Sequence, residues 1–146
     1  MIHKNKFAVI TGATSGIGWA TAEAFADLNI NLVLCGRRLE KLEELEAKLS
    51  GKVRVVILVF DVSDRKEVQL QLNSLPVNIS ENITILINNA GGAHGLEPIQ
   101  EGSYKDWDLI VDANVKGLLY VSEMIMPMMI QNRNGHIINM SSIAGK

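Results

Sequence analysis

The segment Thr11-Gly12-Ala13-Thr14-Ser15-Gly16-Ile17-Gly18 constrains this chain most, because it lies directly between an apolar run at residues 7–10 and helical spacing from residue 17. Glycines and small hydroxyl side chains between a strand and a helix leave backbone N–H groups open at the helix N-terminus, where aligned peptide dipoles favour an anion. A glycine cluster alone marks only a turn. Its place after a strand and before a helix makes it a phosphate-binding turn of a dinucleotide fold. The pattern is T-G-x-x-x-G-x-G, with three residues between the first two glycines, where the commoner pattern is G-x-G-x-x-G.

Further apolar runs, rich in Val and Ile, recur at residues 31–35, 53–60, 83–87 and 136–140. Short, nearly continuous runs of this kind suit strands covered on both faces. The stretches between them read as helices: residues 17–28, then an apolar stripe of Leu39, Leu42, Leu45 and Leu49 backed by Glu and Lys, then a helix capped by Asp64 and carrying Val68, Leu70 and Leu72. The leucine stripe lasts under two heptads, which favours a sheet-packed helix over a coiled coil. Strands alternating with helices predict an α/β fold, a Rossmann-type doubly wound parallel sheet. Residues 90–103, with four glycines and one proline, read as a loop, residues 104–113 and 114–131 as helices, and Asn132-Arg133-Asn134-Gly135 as the stop before the last strand. The helix at residues 114–131 is apolar almost all round, apart from a strip of Lys116, Glu123 and Gln131. One face meets the sheet. The other is expected to form a contact between subunits of a homodimer or homotetramer, with further core of the same domain as the alternative.

A length of 146 residues, with 47% hydrophobic and 21% charged content, fits one domain spanning residues 1–146. The formal charge of −2 comes from interspersed acids and bases, with no basic stripe, which argues against nucleic acid and anionic membranes as partners. No segment approaches the ~18 apolar residues of a spanning helix, and the run at residues 7–10 is too short for a signal-peptide core. A single cysteine, Cys35, allows no intramolecular disulfide and no thiolate cluster, and His3, His94 and His136 are scattered, so no metal site is expected and a reducing, cytoplasmic setting fits best. His94 reads as a solvated loop residue in preference to a substrate contact.

The glycine spacing, Asn88-Asn89-Ala90-Gly91 after the fourth strand, and Asn139-Met140-Ser141-Ser142-Ile143-Ala144-Gly145 after the fifth together resemble the short-chain dehydrogenase/reductase family, and the resemblance runs through the whole chain. Within that family, Gly36-Arg37-Arg38, the Ser74-Leu75-Pro76 turn, and Gly95-Leu96-Glu97-Pro98 followed by Asp106-Trp107 look most like the NADP-dependent 3-hydroxy acid (serine or allo-threonine) dehydrogenases. The resemblance implies an oxidoreductase that moves hydride between a nicotinamide and a small carbonyl or secondary alcohol, with a Tyr-x-x-x-Lys acid/base pair.

In dinucleotide folds an acid at the end of the second strand binds the ribose 2′-hydroxyl and would repel a 2′-phosphate. Here that place holds Gly36, followed by Arg37 and Arg38. Guanidinium groups hold phosphate by paired charge-assisted hydrogen bonds, so NADP is favoured over NAD, with Thr14 and Ser15 hydroxyls as further contacts. Two arginines opening a solvated helix is the plainer alternative. The expected cofactor set is Thr11, Gly12, Thr14, Ser15, Gly16, Ile17, Gly18, Arg37 and Arg38. The resemblance adds Asp61 and Val62 at the adenine, and Asn88, Asn89, Ala90 and Gly91 along the sheet and ribose. Asp61 as an ordinary turn or capping residue is the rival reading.

The resemblance also assigns Ser142 to polarising the carbonyl and Asn114 to anchoring a water in the proton relay, against a strand-end hydroxyl and a helix cap as their plain alternatives. Neither Tyr104 nor Tyr120 has a lysine at the Tyr-x-x-x-Lys spacing. The pair is therefore expected beyond Lys146, and these residues by themselves are expected to form a domain incomplete after about five strands and nearly inactive. A non-catalytic dinucleotide-binding sensor or interaction module is the rival function. A methyltransferase is weaker, because its cofactor offers no phosphate to Arg37 and Arg38.

Overall fold

Five parallel strands form one sheet in a computed structural model that describes residues 5–143. They are β1 (Phe7–Thr11), β2 (Asn31–Gly36), β3 (Val55–Val59), β4 (Ile83–Asn88) and β5 (His136–Asn139), in the order β3-β2-β1-β4-β5. Period-two alternation divides the sheet's side chains between two cores. Phe7 and Val9 of β1 with Val33 and Cys35 of β2 enter one, and Ala8 and Ile10 with Leu32 and Leu34 enter the other. Both central strands are buried along their whole length, as their unbroken apolar runs require.

Helix α1 (Gly16–Asp27) and helix α2 (Leu39–Leu49) cover one face, through Ala22 and Ala26 and through Leu42, Leu45 and Leu49. In α2 the buried leucines share one face, and Glu40 in the first turn and Lys48 in the last complement the helix dipole. Helix α3 (Arg65–Asn73), the short α4 (Val77–Ser80) and helix α6 (Leu118–Gln131) cover the other face with Val68, Leu72, Ile79, Val121, Ile125 and Met129. Asp64 caps α3 as expected, its carboxylate accepting from Lys66 N–H and Glu67 N–H. Helix α1 ends in a Schellman arrangement: Asn29 takes φ 59°, Asn29 N–H donates to Ala26 O, and Ile30 N–H donates to Phe25 O. The same device ends α6, with Arg133 at φ 49° and Asn134 N–H donating to Met129 O.

The structure departs from the sequence reading in four places. Leu70 and Leu39 point to solvent, 69% and 45% exposed, because the buried faces of their helices are complete without them. Edge strand β3 is mostly half-buried and shorter than residues 53–60, since an edge strand has a neighbour on one side only. β5, the other edge among the described residues, is mostly exposed, as a sheet incomplete after about five strands leaves it. The stretch after Ser74-Leu75-Pro76 is helical, as α4. Helix α5 (Tyr104–Val111) does not break before residue 114. It runs through a π-helical turn (Asp112–Gly117) into α6, so Asn114 lies inside a continuous helix and caps nothing. The start of the chain with His3, and the Ala144-Gly145-Lys146 end, lie outside the described residues.

Candidate functional site

Strand order reverses between β1 and β4, and in an open α/β sheet a crevice forms where neighbouring connections leave in opposite directions, at the carboxyl ends of the strands. A cavity of about 680 Å³ occupies that place. The turn after β1 contributes Gly12, Thr14, Ser15, Gly16 and Ile17 to its wall. The ends of β2 and β3 contribute Gly36, Arg37 and Arg38, then Asp61, Val62 and Ser63, while Asn89, Ala90, Gly91 and His94 follow β4.

Gly12 and Gly16 have φ of +65° and +54°, which side chains rarely adopt. A Cβ on Gly12 would lie 2.9 Å from Ala90 Cα, and one on Gly18 would collide with the carbonyl oxygen of Gly12. The turn is therefore folded tightly against α1 and the β4 end. Ala13 N–H donates to Cys35 O at 3.1 Å, which ties the turn to β2 as well. Ser15 stands at the N-cap of α1 without making a side-chain cap, and no acid lies in the first turn. The contrast with Asp64 at α3 is chemical: the Asp64 side chain satisfies two of the first N–H groups of α3, whereas the first turn of α1 has no side-chain cap and lines the cavity through Ser15, Gly16 and Ile17.

Thr11 and Asn88 do not line the cavity; they hold its floor together. Thr11 Oγ1 accepts from Asn89 N–H and Ala90 N–H, both at 3.0 Å, and Asn89 Nδ2 donates to the carbonyls of Thr11 and Gly12, both at 3.1 Å. The Asn-Asn-Ala-Gly segment thus clamps the phosphate-type turn. Asn88 is buried, and its Nδ2 donates to Ser122 Oγ at 3.0 Å and Asn139 Oδ1 at 2.9 Å, which joins β4, α6 and β5. Met140 N–H donates to Asn88 O at 2.9 Å, so the strand leading to Ser141 and Ser142 is fixed to the same residue. Ser142 is exposed beyond the carboxyl end of β5.

Asn114 uses both ends of its amide on one residue: Oδ1 accepts from Gly92 N–H at 2.9 Å and Nδ2 donates to Gly92 O at 2.7 Å. The π-helical turn aims this side chain across the loop, and a Cβ on Gly91 would collide with Asn114 Oδ1. Gly117 in the same turn packs so closely on Val62 that a Cβ would lie 2.6 Å from Val62 Cγ2. Ser122, Ser63 and Gly117 were missed by sequence reasoning, and Asn139, at the head of the motif after β5, was given no role of its own. Ser122 left a signal, as a small hydroxyl away from the helix's polar strip of Lys116, Glu123 and Gln131.

At the far end of the cavity, Arg38 Nη2 donates to Thr14 Oγ1 at 2.8 Å and to Thr14 O at 3.3 Å. Gly36 is required there, since its Cβ would lie 2.6 Å from Thr14 Cγ2. Arg37 Nη1 lies 3.6 Å from Asp61 Oδ2. Partial burial alone would raise the Asp61 carboxyl, but the hydroxyl and N–H of Ser63 and the nearby Arg37 outweigh it and hold it below its ordinary value. Burial pushes the Cys35 thiol far up, so that side chain is no nucleophile. Among the described residues no cluster of three metal-ligating side chains occurs, and no helix is long and apolar enough to cross a membrane.

A parallel sheet with a glycine-rich first turn, an open helix N-terminus and a crevice at the reversal of strand order is the architecture of a dinucleotide-binding α/β domain. More narrowly, residues 6–146 match the model of the short chain dehydrogenase family, and the chain belongs to that family. Sulfoacetaldehyde reductase 2 of Chromohalobacter salexigens is 43% identical over 139 residues, 94% of this chain and 55% of that protein. The NADP-dependent 3-hydroxy acid dehydrogenase YdfG of Escherichia coli is 40% identical over 137 residues, 94% of this chain and 54% of that protein. A solved structure, the closed form of serine dehydrogenase complexed with NADP+, superposes with a TM-score of 0.87 at 39% identity, covering 95% of this chain and 55% of that one. The chain spans about half the length of the curated relatives it matches.

Proposed function

We propose that the polypeptide carrying these residues is an NADP-dependent oxidoreductase that moves hydride between the nicotinamide and a carbonyl or secondary alcohol, with a small 3-hydroxy acid as the substrate class. The observation that carries this reading is the meeting, at one cavity, of an uncapped helix N-terminus with two arginines at the end of β2, where an NAD site would hold an acid. Related proteins named as an NADP-dependent 3-hydroxy acid dehydrogenase and as a serine dehydrogenase with NADP+ support it.

The residues fit such a cofactor. The open N–H groups of Gly16 and Ile17 and the absence of a side chain at Gly12 suit the diphosphate; Arg37, Arg38, Thr14 and Ser15 suit a 2′-phosphate; Asp61 and Val62 suit the adenine; Asn89, Ala90 and Gly91 suit the ribose. When bound, the nicotinamide supplies the hydride. Ser142 is proposed to hydrogen-bond the substrate oxygen. Asn114, fastened to Gly92, is proposed to keep the proton-relay side of the site in register. The polypeptide of residues 1–146 is expected to bind nucleotide and to turn over almost no substrate, because it holds no Tyr-x-x-x-Lys.

Residues Leu119, Met126 and Ile130 form an exposed apolar stripe opposite the sheet-facing side of α6, and we assign it to a homodimer or homotetramer contact. One buried cysteine fits a reducing, cytoplasmic setting.

Calorimetry of the full polypeptide tests the cofactor reading. NADP+ is expected to bind at least about tenfold more tightly than NAD+, and Arg38→Ala to erase most of that difference, a loss of ~1–3 kcal/mol for a charge-assisted contact. Equal affinity for the two nucleotides would refute the NADP assignment. Tight NADP+ binding without turnover of any hydroxy acid by the full polypeptide would favour a sensor module.

A further inference from the structure

The two arginines at the cavity differ in their partners. Asp61 Oδ1 accepts from Ser63 N–H at 2.9 Å and from the Ser63 hydroxyl at 2.7 Å, which fixes the carboxylate and leaves Oδ2 facing Arg37. Arg37 is 77% exposed on its side chain, and Asp61 is the anion it meets. Arg38 is pinned instead to the neutral hydroxyl and carbonyl of Thr14. Among the described residues, Arg37 is therefore ion-paired with a carboxylate and Arg38 is held by neutral groups alone.

We propose that Asp61 is a built-in competitor for the 2′-phosphate: it occupies Arg37, lowers the preference of the site for the phosphorylated cofactor, and leaves Arg38 as the main phosphate-holding cation. This rests on the NADP reading given above. A phosphate arriving at Arg37 shares the guanidinium with a carboxylate that is tethered beside it and so always present at high local concentration. The two anions also repel each other across a few ångströms. Asp61 remains ionised at neutral pH, since its carboxyl is held low. Because the pair is largely exposed, the effect is modest: removal of the charge is worth about three- to tenfold in phosphate affinity.

Asp61→Asn keeps an oxygen to accept from Ser63 and exchanges the charged oxygen facing Arg37 for a neutral amide nitrogen, which cannot pair with a guanidinium. The experiment measures binding of adenosine 2′,5′-bisphosphate and of AMP, which differ only in the 2′-phosphate, to the full polypeptide by calorimetry. Wild type is expected to prefer the bisphosphate. Asp61→Asn is expected to raise the preference for the bisphosphate over AMP about three- to tenfold, a ratio from which any change at the shared adenine contact cancels, and the gain is expected to vanish in an Arg37→Ala background. A misfolded variant cannot mimic a selective gain. Equal weakening of both ligands would make Asp61 an adenine contact only, and weakening of the bisphosphate alone would make it a support for Arg37; either overturns the proposal. A wild-type preference unchanged by Asp61→Asn overturns it as well and leaves the NADP reading standing. A wild type with no preference for the bisphosphate removes that reading and this inference together.

Discussion

At Gly18 a methyl group would enter the space of the Gly12 carbonyl oxygen, and that oxygen is also held by Asn89. The clash is with backbone, which cannot rotate away as a flexible side chain would. Gly18→Ala is therefore expected to cost ~1–3 kcal/mol in urea unfolding, and to weaken nucleotide binding because the α1 N-terminus shifts. A variant of unchanged midpoint and affinity would show that the turn yields freely. The residues Gly12, Gly16 and Gly18 were legible from their place between an apolar run and helical spacing, since the demand for bare backbone at a strand-to-helix turn is local. Other residues were legible in identity and opaque in partner. Nothing in the order Asp61-Val62-Ser63 reveals that one carboxylate oxygen serves Ser63 while the other meets an arginine from a different strand. Asn114 shows the same limit, because its grip on Gly92 spans 22 positions and depends on the π-helical turn.

Among the elements, α3 owes its start to a single side chain. The Asp64 carboxylate takes the N–H groups of Lys66 and Glu67, so Asp64→Ala leaves both without that acceptor and is expected to cost about 1 kcal/mol, read as a lowered denaturation midpoint. Asp64→Asn should recover most of the loss, since the amide oxygen accepts as well; a failure to recover would make the effect one of charge. This cap, the stripe of Leu42, Leu45 and Leu49, and the central strands β1 and β2 could all be read in advance. Each depends on neighbours within a few positions in the chain. The edge strand β3 misled for the opposite reason. An apolar run reports the composition of a strand, and its burial is decided by what packs beside it. The π-helical turn between α5 and α6 was likewise unreadable, because its sequence Asp-Ala-Asn-Val-Lys-Gly is compatible with a helix end.

For the whole molecule, the exposed stripe of Leu119, Met126 and Ile130 is 57%, 44% and 70% exposed on a helix whose opposite side is buried in the sheet. The full polypeptide is expected to sediment as a dimer or tetramer, and Leu119→Glu with Ile130→Glu to shift it to monomers of unchanged circular dichroism. A wild-type monomer would sink the subunit contact. Loss of the fold in the double variant would instead assign the stripe to the interior of the same polypeptide. By itself the sequence determined the alternation of strand and helix, the phosphate-type turn and the basic end of β2, because apolar periodicity, capping and backbone freedom act over a few residues. Only the tertiary structure decided the strand order β3-β2-β1-β4-β5, the clamp of Asn89 on the glycine turn, the join of Asn88 to Ser122 and Asn139, and the pairing of Arg37 with Asp61. Those contacts link residues tens of positions apart, and they exist only once the packing of two cores against one sheet has fixed which strand ends lie side by side.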